Sequence, residues 1–160
     1  MAKISLGCAK NQVNCEQMMY RLQEAGHEIL PDVNGADVVI INTCGFIDSA
    51  KSEAIDHIIA MGQLKQAGAV GKILVTGCLS QRYQREILEE MPEVDGLLGT
   101  GSYDEIVPAV NALLAGDSVC CFGDIHAAEK ESGRVLTTPP HYAYLKIAEG
   151  CDNHCAYCVI

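Results

Sequence analysis

The residues in this sequence best able to do chemistry are its thiols. The chain holds nine cysteines: Cys8, Cys15, Cys44, Cys78, Cys120, Cys121, Cys151, Cys155 and Cys158. Their number is odd, and the first residues run into "KISLGC" with no secretory leader pattern. Such a set points to metal binding or catalysis in a reducing compartment rather than to a disulfide framework. The tightest group lies in "EGCDNHCAYCVI", residues 149–160, where Cys151, Cys155 and Cys158 are spaced Cys-x3-Cys-x2-Cys. Three thiolates on one loop can converge on a metal centre, and iron–sulfur clusters are held by cysteines at such spacings. The alternative is structural zinc with His154 as fourth ligand. His154 directly precedes Cys155, an awkward position from which to join the same tetrahedron.

A second set is dispersed along the chain. Cys8 follows "KISLG", Cys44 follows "DVVIINT" and Cys78 follows "KILVTG". Each stands at the carboxyl end of an expected strand, just before an expected helix. In an open α/β sheet those ends share one edge, and ligands bind in the crevice there. Three cysteines at the same topological station therefore read as shared ligands, with one coordination position left open for reaction. The plainer reading is that each is an ordinary buried cysteine, which packs like a small hydrophobe. For Cys15, on the apolar face of the first helix, that plainer reading is preferred. Cys120 and Cys121 are adjacent and point opposite ways in a strand, so no chemistry is assigned to them.

The elements that would position these thiols alternate strand and helix. Strands are expected at 3–8, 27–30 ("HEIL"), 37–42, 72–77 and 94–99. Helices are expected over 13–25, 47–67, from Ser80 past Met91, and from the capping box Ser102-Tyr103-Asp104-Glu105 to Ala115, with Pro108 kinking the last or shifting its start. "GDSVCCFGD" offers one more strand. The β-branched runs 37–42 and 72–77 are of the kind buried on both faces. The pattern predicts an α/β fold: a doubly wound, mostly parallel sheet with helices on both faces, Rossmann-like. Residues 1–125 are expected to form this domain and 126–141 a polar linker with paired prolines, after which 142–160 would begin something new with a strand and the cysteine loop. The tail from about residue 140 is expected to be disordered on its own.

Composition narrows the function classes. Nearly half of the 160 residues are apolar and a fifth are charged, which is globular rather than disordered composition. No apolar run is long enough to span a membrane, and a cytoplasmic location follows by default. The formal net charge of −10 disfavours this segment as the main grip on nucleic acid.

The motifs "SLGCAKNQVNCE", "NTCGFIDSAKSEA" and "TGCLSQRY", together with Cys-x3-Cys-x2-Cys and Tyr157 before its last cysteine, resemble the methylthiotransferase family of radical S-adenosylmethionine enzymes over essentially the whole chain. "NTCGFIDSA" is most similar to the branch that modifies a ribosomal protein, the RimO type. The resemblance implies an N-terminal fragment of such an enzyme, with 142–160 the opening of a second, truncated domain, and two four-iron four-sulfur clusters. Cys8, Cys44 and Cys78 match the ligands of the auxiliary cluster; Cys151, Cys155 and Cys158 match those of the radical cluster. It implies S-adenosylmethionine as cofactor, cleaved to a radical that attacks an unactivated carbon. The expected product is a β-methylthio-aspartate on the small-subunit ribosomal protein numbered twelve. An external electron donor is implied, with no membrane, and with RNA contact only through a further C-terminal domain or the ribosome. The 160 residues alone are expected to be inactive. A tRNA adenosine methylthiotransferase and a non-catalytic zinc or iron–sulfur module are the alternatives. One departure from the family pattern is Asn14-Cys15-Glu16 where Asp-Ser-Glu is common.

Overall fold

Two β-branched runs make the centre of the molecule. "ADVVIINT" forms β2 (Ala36–Thr43) and "VGKILVTG" forms β3 (Val70–Gly77), paired in parallel from Ala36↔Val70 to Thr43↔Gly77. The computed structural model describes residues 1–127, 132–148, 150, 151 and 153–158. On one side of this pair lies β1 (Ala2–Ser5), and on the other β4 (Gly96–Leu98) and then β5 (Val119–Cys121). All four strand pairings are parallel. The helices are α1 (Ala9–Glu24), α2 (Asp48–Gln66), the short α3 (Cys78–Arg82) and α4 (Gln84–Glu90), and α5 (Ile106–Ala115), which follows a 3₁₀ turn over Thr100–Glu105.

Alternation along the strands splits the core in two. Val38 and Ile40 face α1 and α5, packing with Met18, Leu22, Ile106, Val110 and Leu113. Val39 and Ile41 face α2, α3 and α4, packing with Ala54, Ile58, Leu79 and Ile87. Each fully buried aliphatic side chain contributes about 1.5–3 kcal/mol. The expected doubly wound α/β sheet with helices on both faces is what forms.

The strand order β1-β2-β3-β4-β5 runs in one direction, which with uniform right-handed crossovers would put every helix on one face. The "HEIL" segment explains how α1 reaches the other face. It forms no ladder, but the Met1 ammonium donates to the Glu28 carbonyl at 2.8 Å and the Leu30 amide donates to the Met1 carbonyl at 2.6 Å. That is a single parallel bridge on the outer side of β1, so α1 travels outward and the chain then returns past β1 to β2. The chain reverses at β1, and the crevice expected at such a switch point opens at the carboxyl ends of β1 and β2. The crossovers through α2 and α5 advance in the same direction with their helices on opposite faces, so they have opposite hands.

Two expected helix starts form differently. Ser80 lies inside α3 and donates to the Gly77 and Leu98 carbonyls at 3.0 and 2.6 Å, tying the helix to β4 instead of capping it. The capping box at Ser102 does not form. Its hydroxyl accepts from the Gly123 amide at 2.5 Å, and α5 begins at Ile106, which places Pro108 in the first turn where its missing N–H costs nothing. The expected linker and tail fall partly outside the described residues, at 128–131, 149, 152, 159 and 160. Residues 142–148, expected as a strand, carry no strand pairing.

Candidate metal centres

The parallel register sets the first group of thiols. Ser5 pairs with Asn42, and Thr43 with Gly77, so the chain leaves three adjacent strands at the same edge. Cys8 then caps α1, with extended backbone and an exposed side chain. Cys44 directly follows β2 and is buried. Cys78 opens α3 directly after β3 and is half-buried. Gly7 and Gly77 make these exits possible. Gly7 has φ +93°, and a Cβ there would lie 2.5 Å from Cys44 Cβ and 3.3 Å from Cys44 Sγ. Gly77 has φ +96°, and a Cβ there would collide with the Thr43 carbonyl. The loops of Cys8 and Cys44 thus touch, and a Cβ on Gly45 would meet the backbone of Cys78 and Leu79.

One side chain joins all three exits. Asn11, fully buried on the first turn of α1, donates from Nδ2 to the Thr43 carbonyl at 2.7 Å and to the Leu6 carbonyl at 3.3 Å. Its Oδ1 accepts from Cys78 Sγ at 3.8 Å. Its own carbonyl accepts from Asn42 Nδ2 at 2.7 Å, Asn42 Oδ1 accepts from Thr76 Oγ1 at 3.3 Å, and Thr43 Oγ1 donates to the Thr76 carbonyl at 2.5 Å. Asn42, Thr43 and Thr76 are all 0% exposed. A bonded polar layer therefore closes the apolar core directly beneath the three thiols. Burying these groups unpaired would cost roughly 1–3 kcal/mol each.

The donor set suits a thiophilic group: three cysteines on rigid strand ends, two of them open to solvent, with hydrogen-bonding residues behind them. Among the described residues, no three His, Cys, Asp or Glu side chains stand close enough together to hold one metal ion. This applies alike to Cys8, Cys44 and Cys78 and to Cys151, Cys155 and Cys158 with His154, and both a cluster and a zinc site require such a convergence. Cys151, Cys155 and Cys158 are exposed. The Cys158 amide donates to the Cys155 carbonyl at 3.0 Å, Asn153 Nδ2 lies 3.4 Å from Cys151 Sγ, and His154 takes a left-handed backbone at φ 47°. Cys15 belongs to the core and is 2% exposed; burial pushes its thiol up, against the opposing pull of Lys3 and Ser5. On the edge strand β5, Cys120 is exposed and Cys121 half-buried.

Residues 1–99 match a family described as Uncharacterized protein family UPF0004. The chain belongs to this family. It is also 50% identical over 158 residues to "Ribosomal protein uS12 methylthiotransferase RimO" of Syntrophomonas wolfei, and 51% identical over 160 residues to the protein of that name from Pelotomaculum thermopropionicum. A third of the same name, from Clostridioides difficile, is 46% identical over 157 residues. Each alignment covers 98% of this chain. The chain spans about a third of the length of these curated relatives (36%, 36% and 35%).

The UPF0004 match contains Cys8, Cys44 and Cys78; the second triad lies beyond it. What links the two is the segment after β5. Residues 132–148 have no regular structure, yet they run along α1 from its carboxyl end to its amino end. Ser132 Oγ accepts from Arg21 Nε at 3.3 Å, and Gly133 lies against the Tyr20 ring. The Val135 amide donates to the Glu16 carbonyl at 3.2 Å, and Thr137 donates to Glu16 Oε1 from its amide at 2.8 Å and its hydroxyl at 2.6 Å. Lys146 Nζ donates to Asn14 Oδ1 at 2.7 Å, and residues 144–148 line a small cavity of about 220 Å³ with Ala9, Lys10 and Val13. This strap ends beside the helix turn that Cys8 caps. Three further residues reach Cys151, a span of at most about 11 Å. The strap thus carries the chain that leads into the second thiol set to the amino end of α1, where Cys8 stands. Within the segment expected as a polar linker, residues 132–137 make specific contacts with α1; the signal for them was a glutamate among the apolar positions of that helix.

Proposed function

We propose that this chain is the amino-terminal part of a RimO-type methylthiotransferase that adds a methylthio group to the β-carbon of an aspartate in ribosomal protein uS12. In this reading Cys8, Cys44 and Cys78 hold one four-iron four-sulfur cluster, and Cys151, Cys155 and Cys158 hold a second, which binds S-adenosylmethionine. The observation that carries it is the delivery of three cysteines, 34 to 36 residues apart, to the shared carboxyl edge of three adjacent strands. The names of the relatives support the substrate class.

When bound, clusters with three cysteine ligands supply one-electron chemistry and an iron with an open position. The chain's own residues do the rest. The register of β1, β2 and β3 holds the first thiol set in place, and Asn11 locks the three loops to one another. The Asn42–Thr43–Thr76 layer satisfies the backbone beneath, and the apolar strands keep water from that side. No helix among the described residues is long and apolar enough to cross a membrane. We place the protein in the cytoplasm, with an external electron donor, and assign contact with RNA to the ribosome or to another part of the enzyme.

The test is anaerobic reconstitution with iron and sulfide. The wild-type chain should bind about eight iron and eight sulfide, two clusters of four each. Replacing Cys8, Cys44 and Cys78 together by alanine should halve that, as should replacing Cys151, Cys155 and Cys158. Retained zinc without a cluster absorption or paramagnetic signal overturns the cluster assignment. The intact enzyme should add the mass of a methylthio group to a uS12 peptide, whereas the 160 residues alone should add none. A methylthio-adenosine in tRNA in place of the peptide product overturns the substrate.

A further inference from the structure

Glu16 is an ionisable side chain with little reason to be buried in the middle of α1, yet it is 2% exposed. Its burial comes from the strap. Oε1 accepts from the Thr137 amide and hydroxyl and from Gln12 Nε2 at 3.3 Å, and Oε2 meets Arg134 Nε at 3.3 Å. Arg134 carries the connection onward, because its Nη1 donates to the Tyr144 carbonyl at 2.6 Å. Thr138 Oγ1 donates to the Tyr142 carbonyl at 2.7 Å, folding the strap on itself. One carboxylate thus holds the strap at Thr137 directly and at Tyr144 through Arg134. Tyr144 stands seven residues before Cys151.

We propose that Glu16 is a positioning residue: through Arg134 and Thr137 it fixes the segment bearing Cys151, Cys155 and Cys158 against the edge bearing Cys8, Cys44 and Cys78. This rests on the cluster reading above. The physical reason is that a carboxylate with four acceptor sites, shielded from water and met by a guanidinium and two donors on one residue, makes strong and directional bonds. A surface ion pair would not fix a segment in this way. Seventeen residues without a helix or strand need such an anchor to hold one conformation.

Two readouts on the full chain test it. Amide hydrogen exchange at Thr137, whose N–H donates to the carboxylate, should quicken roughly 10- to 100-fold in Glu16→Ala, the worth of a hydrogen bond to a charged group, while Val135, bonded to the main-chain carbonyl that alanine keeps, should quicken less. Exchange of the β2 and β3 amides, which need global opening, should change far less. Glu16→Gln keeps an acceptor for Thr137 and should recover part of the protection. After anaerobic reconstitution, Glu16→Ala should keep the wild-type iron content but lose the magnetic broadening between the two reduced clusters. Thr137→Val and Arg134→Gln, which leave α1 unaltered, should act in the same direction and guard against a misfolded Glu16 variant. Unchanged exchange overturns the proposal, as does unchanged broadening with both clusters loaded. If the wild-type chain takes up no iron, the cluster reading fails, and the exchange comparison alone decides whether Glu16 anchors the strap.

Discussion

Replacing Asn11 separates a hydrogen-bonding role from a packing role. In Asn11→Ala the buried Thr43 carbonyl loses a 2.7 Å bond and the Leu6 carbonyl a 3.3 Å bond, while the polar layer stays in place. An unsatisfied buried acceptor costs about 1–3 kcal/mol, and the longer bond adds about 1. The total is about 2–4 kcal/mol, a large share of the roughly 5–15 kcal/mol that holds a domain of this kind. Asn11→Asp is nearly isosteric but replaces the donating Nδ2 by an acceptor. It sets a carboxylate oxygen against the Thr43 carbonyl and buries a charge without a partner, at about 3–5 kcal/mol. Aspartate should therefore be worse than alanine, the reverse of what volume alone predicts. Urea unfolding followed by circular dichroism reads the difference: a 3 kcal/mol loss with a slope of about 2 kcal/mol/M moves the midpoint by about 1.5 M. Both variants should also lose iron from the first thiol set on reconstitution. An aspartate variant with the wild-type midpoint would refute the argument that Asn11 acts as a donor to the strand exits.

Other consequences are as direct. Burial pushes the Asp95 carboxyl up, but bonds from Lys65, the Ile73 amide and Lys72, with the Lys65 charge, outweigh it and hold Asp95 below the usual carboxylate range. Its folded pKa lies below its unfolded one, so it stabilises above about pH 4 and that stability drains as pH falls through the folded value; an acid titration should show this loss and Asp95→Asn should flatten it. Gly77→Ala meets a left-handed backbone and the Thr43 carbonyl together and should cost about 3 kcal/mol or more. Gly116→Ala, with φ +98° but nothing within 4 Å, should cost only about 1–2, as compared by thermal unfolding. In the native chain the exposed Cys8, Cys120, Cys151, Cys155 and Cys158 should alkylate first and the buried Cys15 among the last, by peptide mass mapping. Cys15→Ala should leave the reconstituted iron content unchanged.

Much of the site was legible in the sequence because it depends on local pattern. The β-branched runs at 36–43 and 70–77 can be satisfied only as strands buried on both faces, and the helix after each is marked by its apolar period. A cysteine just past such a strand is then placed by topology, whatever its distant neighbours are. Where partners were remote, local reading gave a different answer. Ser102 and Ser80 carry the residue type of helix caps, but Gly123 and Leu98 offered better-placed partners from other elements. "HEIL" has the composition of a strand but, among the described residues, pairs only with Met1.

The main strands, the start of α2 near residue 47, and the station of Cys8, Cys44 and Cys78 just past three of those strands follow from the amino acids alone, since hydrophobic periodicity acts over short stretches of chain; the strand order and the start of α1 at Ala9 rather than 13 do not. That Asn11 gathers three loops, and that Glu16 holds Thr137 from 121 residues away, was decided only by tertiary structure. A side chain's bonding capacity is written in its type, but which atoms come within 3 Å of it depends on how every intervening element packs.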